Sequence, residues 1–388
     1  MNAVNTYDLK PGQLFSAPVY TEGQCLLVPQ MVPLRQKDID FLVSWGIEEV
    51  RTDGILIESE RRKTARGKVS QEKKGKPQFS IDDVRKNSGP YRAYKGLIEK
   101  LSQVFTGIRV GEDVEMRAID SICVQLLQNL SSYRDSFLDF ILCGEVAEQD
   151  LAKSSINTAT LSALMAQELN LANHKVHNIV DGALLHDVGM FRLSKGITEK
   201  KGGLSEAEHE QIKSHPMHTS NIVMKELFGP NEVNLIALQH HERWDGKGYP
   251  DKMLGPAIDI GARIVSVADA FEAMVSKKSY RNPLIGYQAI KNLMADNARR
   301  FDPAIINIFT KIMGIYPIGS IVKLNSGAIA RITSVHKNAP LRPVIQILVN
   351  EEGDVLEHSE QITINLLEEK TLFIKNAIDP FEYNDAKQ

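Results

Sequence analysis

Between Tyr91 and Met313 apolar residues return every three or four positions, and glycine and proline are confined mostly to the joints between runs. A strand needs alternation at every second residue, so a stretch of this length at helical period commits the middle of the chain to helices packed on one another. Ile119, Ile122, Cys123, Leu126, Leu127 and Leu130 make one such stripe, which predicts an amphipathic helix buried along one face. On either side the pattern changes. Lys10-Pro11-Gly12 reads as a turn, Leu14 to Tyr20 and Gln24 to Val28 as strands, Gln36 to Trp45 as a helix stopped by Gly46, and Glu48 to Thr52 as a strand. After Tyr316-Pro317, strands are expected at Ser320 to Leu324, Ala328 to Val335 and Val344 to Val349, with turns at Asn325-Ser326-Gly327 and Glu352-Gly353-Asp354.

The expected architecture is therefore mainly α. A small α/β domain covers 1–58, a charged linker 59–89, an all-helical core 90–314, and a β-rich extension 315–388 that suits packing or interaction better than chemistry. The linker's basic residues, among them Arg61, Arg62, Lys63, Lys73 and Lys74, read as solvated. At 388 residues the chain exceeds what one core usually organises, and its 43% hydrophobic and 24% charged fractions exclude a disordered class. A net charge of -3 argues against a nucleic-acid polymer as partner and leaves room for a small anionic ligand on a local patch. Cys25, Cys123 and Cys143 lack metal-ligand spacing and read as free buried thiols. No apolar run reaches the roughly 18 residues a membrane span requires, so a cytoplasmic location is expected.

The chemistry lies in polar residues that continue apolar stripes. In a helix from about His174 to Asp187, Ile179 and Ala183 share a face with His186 and Asp187, and Gly189 is expected to end the helix. An ionised carboxylate on such a face costs several kcal/mol unless a cation or donor compensates it. His240 continues the stripe of Val233, Ile236 and Ala237, with His241 beside it, and His215 lies at a helix end, between Ile212 and Pro216. Asp269 falls on the face of Ala262, Val265 and Ser266. Each residue alone has an ordinary structural reading, and His174, His177, His209, His218, His336 and His358 receive it. Six on inward faces of four helices point to one or two divalent ions. Four histidines with two carboxylates suit iron or manganese better than zinc.

Leu184-Leu185-His186-Asp187-Val188-Gly189, Lys213-Ser214-His215-Pro216, the eleven residues from His240 to Pro250, and Val267-Ala268-Asp269-Ala270-Phe271 together resemble the HD-GYP family of metal-dependent phosphohydrolases. The resemblance covers about 145 to 312 and implies an HD-type helical core that hydrolyses cyclic di-GMP to the linear dinucleotide or GMP through a metal-activated hydroxide. It also implies catalytic roles for Asp187 and His215. Asp187 would bridge two divalent ions, with His186 and Asp269 on one and His215, His240 and His241 on the other. Lys278 and Arg281 would contact the substrate phosphates. Gly248, Tyr249 and Pro250 would shape the site or dock a diguanylate cyclase domain.

Two positions depart from the family. Ser154 stands where a metal-binding histidine is expected, and Met190 where a lysine would help neutralise the phosphate. Asp150, one helical turn before Ser154, is a candidate to compensate. Reduced turnover is the expectation, with the first metal weakened more than the second. A degenerate domain that binds cyclic di-GMP or a signalling partner, and a phosphohydrolase of another nucleotide, are the alternative readings.

Overall fold

The computed structural model describes residues 2–21, 26–28, 30, 34, 36–44, 47, 49–57, 89–143, 151–198, 200, 202–276, 284–357 and 360–378. Residues 59–88 of the expected linker, Cys25, Asp150, Lys278, Arg281 and His358 lie outside the described residues, and the last expected linker position, Gly89, already belongs to a helix. By contact the chain divides into two compact units, Ser80–Ile312 and a second that combines Met1–Phe79 with Met313–Gln388.

The combined unit opens with strands β1 (Asn2–Asn5), β2 (Leu14–Phe15), β3 (Val19–Thr21) and β4 (Leu26–Val28), helix α1 (Gln36–Ser44), and strands β5 (Glu49–Thr52) and β6 (Leu56–Ile57). The first sheet runs β1-β5-β3-β4, antiparallel throughout, with Val4 opposite Val50 and Val50 opposite Thr21. Its core gathers Phe15, Val19, Leu27, Leu34, Leu42 and Val50, and Leu341 from the other end of the chain packs against it. Both ends of the sequence thus contribute to one core.

The helical unit holds α2 (Gly89–Val110), α3 (Met116–Cys143), α4 (Leu151–Glu168), α5 (Asn173–Leu185), α6 (Lys195–Thr198), α7 (Glu206–Ile212), α8 (His215–Asn221), α9 (Asn231–Gln239), α10 (Ile260–Val275) and α11 (Gly286–Ala295). Helix α12 (Pro303–Met313) follows them. The stripe predicted in α3 is buried at Ile119, Ile122, Cys123, Leu126 and Leu130. Helix α4 is buried nearly all round and packs against α2, α5 and α10. Its run of alanine, serine and threonine supplies side chains short enough for neighbours on every side. Helix α7 begins with a capping box, in which Ser205 and Glu208 each accept the other's backbone N–H.

Three helices that lead to the polar cluster meet on Ile236 of α9. A Cβ at Gly182 of α5 would stand 2.5 Å from Ile236 Cγ2, and one at Gly261 of α10 would stand 2.7 Å from Ile236 Cδ1. Glycine at both positions lets α5 and α10 close onto one side chain. Between α3 and α5, Asp181 is buried beside Asp120 and Cys123. Burial pushes its carboxyl up to about 8, and the Asp120 charge acts in the same direction.

Strands β7 (Ile321–Leu324), β8 (Ile329–Ser334), β9 (Val344–Val349), β10 (Thr363–Asn365) and β11 (Ile374–Ile378) form the second sheet, in the order β10-β9-β8-β7-β11. The three strands predicted from sequence are its centre. The two edge strands went unread, because β10 is three residues long and β11 buries only Ile374. Among the described residues, no helix is long and apolar enough to cross a membrane.

Candidate metal centre

Five of the six predicted ligands sit at helix ends, the place expected for His215; His186 and His240, expected to continue the apolar stripes of their helices, come just past the last turn. His186 caps the C-terminus of α5 with Asp187 next, His215 opens α8, and His240 caps α9 with His241 next; Asp269 alone lies within a helix, α10. The reason is the carbonyl groups that a helix leaves free in its last turn. His186 Nδ1 donates to Ala183 O at 2.8 Å, His215 Nδ1 to Ile212 O at 2.7 Å, and His240 Nδ1 to Ala237 O at 2.7 Å. For Ile212 the residue four positions on is Pro216, which has no N–H to offer.

Those three bonds fix the chemistry of the rings. A carbonyl can only accept, so each Nδ1 carries a hydrogen, and Nε2 is the atom each ring turns inward, with a lone pair to offer whenever the ring is neutral. His215 Nε2 and His240 Nε2 face each other at 3.3 Å. Asp187 Oδ1 lies 3.0 Å from His215 Nε2 and 3.7 Å from His240 Nε2. On the other side, His186 Nε2 lies 3.5 Å from Asp187 Oδ2 and 3.7 Å from Asp269 Oδ1. His241 completes the first group: one ligand atom each from Asp187, His215, His240 and His241 falls within 4.8 Å of all the others.

Backbone packing holds the two halves in register. The α5 helix ends at Leu185, before the expected stop at Gly189, and a tight turn over Val188–Arg192 follows. Gly189 serves close approach instead: a Cβ there would lie 2.2 Å from His215 O and 2.5 Å from Thr219 N. Thr219 Oγ1 accepts the Gly189 N–H and donates to His186 O, both at 3.0 Å. This hydroxyl, unread in the sequence, ties the His186-Asp187 corner to the helix that His215 opens.

The site is electrostatically divided. Burial opposes charge on His186, but the Asp187 and Asp269 carboxylates outweigh it and raise the ring to about 9. Burial lowers His240 and His241, which favours neutral rings. Asp187 is held well below the usual carboxylate range: burial acts against this, and the neighbouring His186, His215 and His240 rings prevail. Asp269 is likewise lowered to about 2 by His186, against burial. His186, His215 and His240 are sealed while His241 is partly exposed and the Asp187 and Asp269 side chains keep 26% and 17% exposure, so the open side of the centre carries both carboxylates and His241.

These residues fit divalent ions. His186 Nε2 is buried with no hydrogen-bond partner, and two ring lone pairs confront each other at 3.3 Å beside a carboxylate. A cation resolves both arrangements, and imidazole with carboxylate suits iron or manganese as well as zinc.

Residues 124–305 match the family described as HD domain. The chain carries an HD domain. Its motif order is that of the HD-GYP branch, and residues 321–386, the second sheet, match the KOW domain associated with HD domain. The cyclic di-GMP phosphodiesterase PdeB of Borreliella burgdorferi is 25% identical over 313 residues, covering 78% of this chain and 82% of that one. The 3'3'-cGAMP-specific phosphodiesterase 2 of Vibrio cholerae is 33% identical over 145 residues, covering 37% of this chain and 28% of its own length. A solved structure, Bd1817, a HDG"Y"P protein from Bdellovibrio bacteriovorus, shares 15% identity with a TM-score of 0.47, covering 80% of this chain and 98% of that chain.

Around this HD domain the remaining positions divide. Gly248 is pressed under the preceding backbone, where a Cβ would stand 2.4 Å from Arg243 N and 2.5 Å from Glu242 Cα. Buried Glu242 accepts the N–H groups of Asp251 and Met253, at 2.6 and 2.9 Å, and so closes the loop. Tyr249 stacks on His241 with ring centroids 4.8 Å apart, and Pro250 is half-buried behind it. Met190 lies in the turn after Asp187.

Ser154 donates to Glu272 Oε2 at 2.7 Å, and Glu272 Oε1 accepts from Ser276 Oγ at 2.5 Å and Asn157 Nδ2 at 3.3 Å. A buried hydrogen-bonded carboxylate thus faces Ser154, where the family places a ligand histidine. Glu272 follows Asp269 by three on an apolar helix, and that spacing is the signal that could have found it. Glu242 carries a weaker signal beside His241, and Thr219 none.

Proposed function

We propose that the HD domain is a metal-dependent phosphodiesterase acting on cyclic di-GMP, yielding the linear dinucleotide or GMP. The observation that carries this reading is Asp187, whose two oxygens face opposite ligand sets, His215 and His240 through Oδ1 and His186 through Oδ2. His241 belongs with the first set and Asp269 with the second. Two divalent ions, iron or manganese, would supply Lewis acidity and lower the pKa of the attacking water. The chain's own groups hold and orient: the rings aim Nε2 inward, the two carboxylates stay ionised, and Tyr249 walls the His241 side. Lys278 and Arg281 are assigned to the substrate phosphates. A loop closed by Glu242 and Gly248 is suited to shaping the site and to presenting an edge to a diguanylate cyclase domain.

The cGAMP-specific relatives support 3'3'-cGAMP as a second substrate of the same chemistry. Met190 and the Ser154–Glu272 network favour turnover below that of a site with the full ligand set, or binding alone. The test is anaerobic incubation of the holoenzyme with Mn(II) or Fe(II) and each cyclic dinucleotide in turn. Cyclic di-GMP is expected to be consumed faster than 3'3'-cGAMP, with Asp187→Ala at background. Equal rates in wild type and Asp187→Ala would end the proposal.

A further inference from the structure

One histidine of the centre is held differently from the others. His186, His215 and His240 each give Nδ1 to a carbonyl three residues back, and that bond sets the plane of the ring. Among the described residues the His241 ring makes no hydrogen bond, and it is the partly exposed histidine of its group. Other rings enclose it instead, with centroids at 4.0 Å for His240, 5.0 Å for His215 and 4.8 Å for Tyr249. The first two belong to the same ligand group. Tyr249 does not, and its ring lies only 31° from the His241 plane.

The loop is built to bring Tyr249 back to this ring. Tyr249 N–H donates to His241 O at 3.3 Å, so the chain closes on the residue from which the loop set out. Gly246 N–H donates to Arg243 O at 2.9 Å and turns the loop. Gly248 lets the returning strand press on the outgoing one, since a Cβ there would stand 2.7 Å from Glu242 C. Beyond Tyr249, the Glu242 carboxylate takes the N–H groups of Asp251 and Met253. The Tyr249 hydroxyl makes no hydrogen bond among the described residues, so the face of the ring is the part engaged.

We propose that Tyr249 is a positioning residue for the metal ligand His241, its stacked ring doing for that imidazole what backbone carbonyls do for the other three. This rests on the metal-dependent phosphodiesterase reading above. An imidazole without a hydrogen bond on its outer nitrogen can turn among its side-chain rotamers. A ring laid against its face removes those orientations before an ion arrives, the service that hydrogen bonds around a metal site usually perform.

The experiment titrates Co(II) anaerobically into metal-free full-length wild type, Tyr249→Phe and Tyr249→Leu, each with and without His241→Ala, and reads affinity and the visible absorption of the bound ion. Tyr249→Leu is expected to weaken one Co(II) about threefold to tenfold, the worth of an aromatic pair, and to change its absorption band. Tyr249→Phe keeps both the affinity and the band. In the His241→Ala background, Tyr249→Leu has no further effect, because the ring it positions is gone. Wild-type affinity and absorption in Tyr249→Leu overturn the assignment, and a rise in KM for cyclic di-GMP alongside them makes Tyr249 a substrate wall alone. A phenylalanine variant as impaired as the leucine one overturns it in favour of the hydroxyl. An equal loss in both backgrounds, or a leucine variant that unfolds without metal, overturns it in favour of a role in the fold. Each of these leaves the phosphodiesterase reading intact, whereas wild type that binds no Co(II) overturns both.

Discussion

A histidine placed just past a helix has its ring chemistry decided by the helix it follows. Ala183, Ile212 and Ala237 each take the Nδ1 hydrogen of the histidine three residues on, and the remaining nitrogen becomes the donor atom. Thr219 does comparable work on the backbone, through its bonds to Gly189 N and His186 O. Thr219→Val keeps the shape and removes both bonds. It is expected to cost about 1–3 kcal/mol, as for a buried polar group left unsatisfied, and to lower metal retention, while Thr219→Ser restores both. Denaturant unfolding with metal analysis checks this, and a valine variant as stable and as metal-rich as wild type would count against the role. At this scale the ligands were legible, because histidine and aspartate on an apolar stripe are chemically conspicuous. Thr219 was not, because it acts through backbone groups; Glu242 and Glu272 carried a signal in their spacing from His241 and Asp269 but act through backbone groups or partners far along the chain.

Among elements, the helical period identified the helices well and their ends less well. The stripe in α3 is buried as read, whereas α5 stops at Leu185 and the purpose of Gly189 is contact with α8. Contact across helices leaves no period in the sequence, and the same is true of the junction where Gly182, Ile236 and Gly261 meet. Gly261→Ala adds a methyl group 2.7 Å from Ile236 Cδ1 and 2.9 Å from Ile179 Cγ1. The expected destabilisation is about 1–3 kcal/mol, the cost of overpacking a closed core, and pairing it with Ile236→Val should return part of the loss. Melting temperatures of the two variants decide the point. Recovery by the smaller side chain distinguishes crowding from a general defect. In the second sheet, the buried central strands announced themselves by alternation, while β10 and β11 depend on pairing with neighbours and bury too little to show it.

For the whole molecule, stability carries the imprint of Asp181. Its folded-state pKa of about 8 stands above the ordinary 3.8, for burial and the nearby Asp120. Its contribution is therefore fully present below about pH 4 and is lost as pH rises toward 8. Asp181→Asn keeps the shape without the titration. The variant is expected to gain in melting temperature relative to wild type between pH 5 and pH 8, with the larger advantage at pH 8. A difference that does not change with pH would refute the assignment.

Placing the ligands at helix ends also has a consequence for assembly. From His186 to Asp269 the donors belong to separate helices, and the short segment geometry around each ring is complete only when its helix has formed and docked. A collapsed chain with native-like helices but loose packing would hold the pieces of the centre without the centre itself. Metal uptake during refolding therefore reports the docking of α5, α8, α9 and α10, and it should lag the recovery of helical signal.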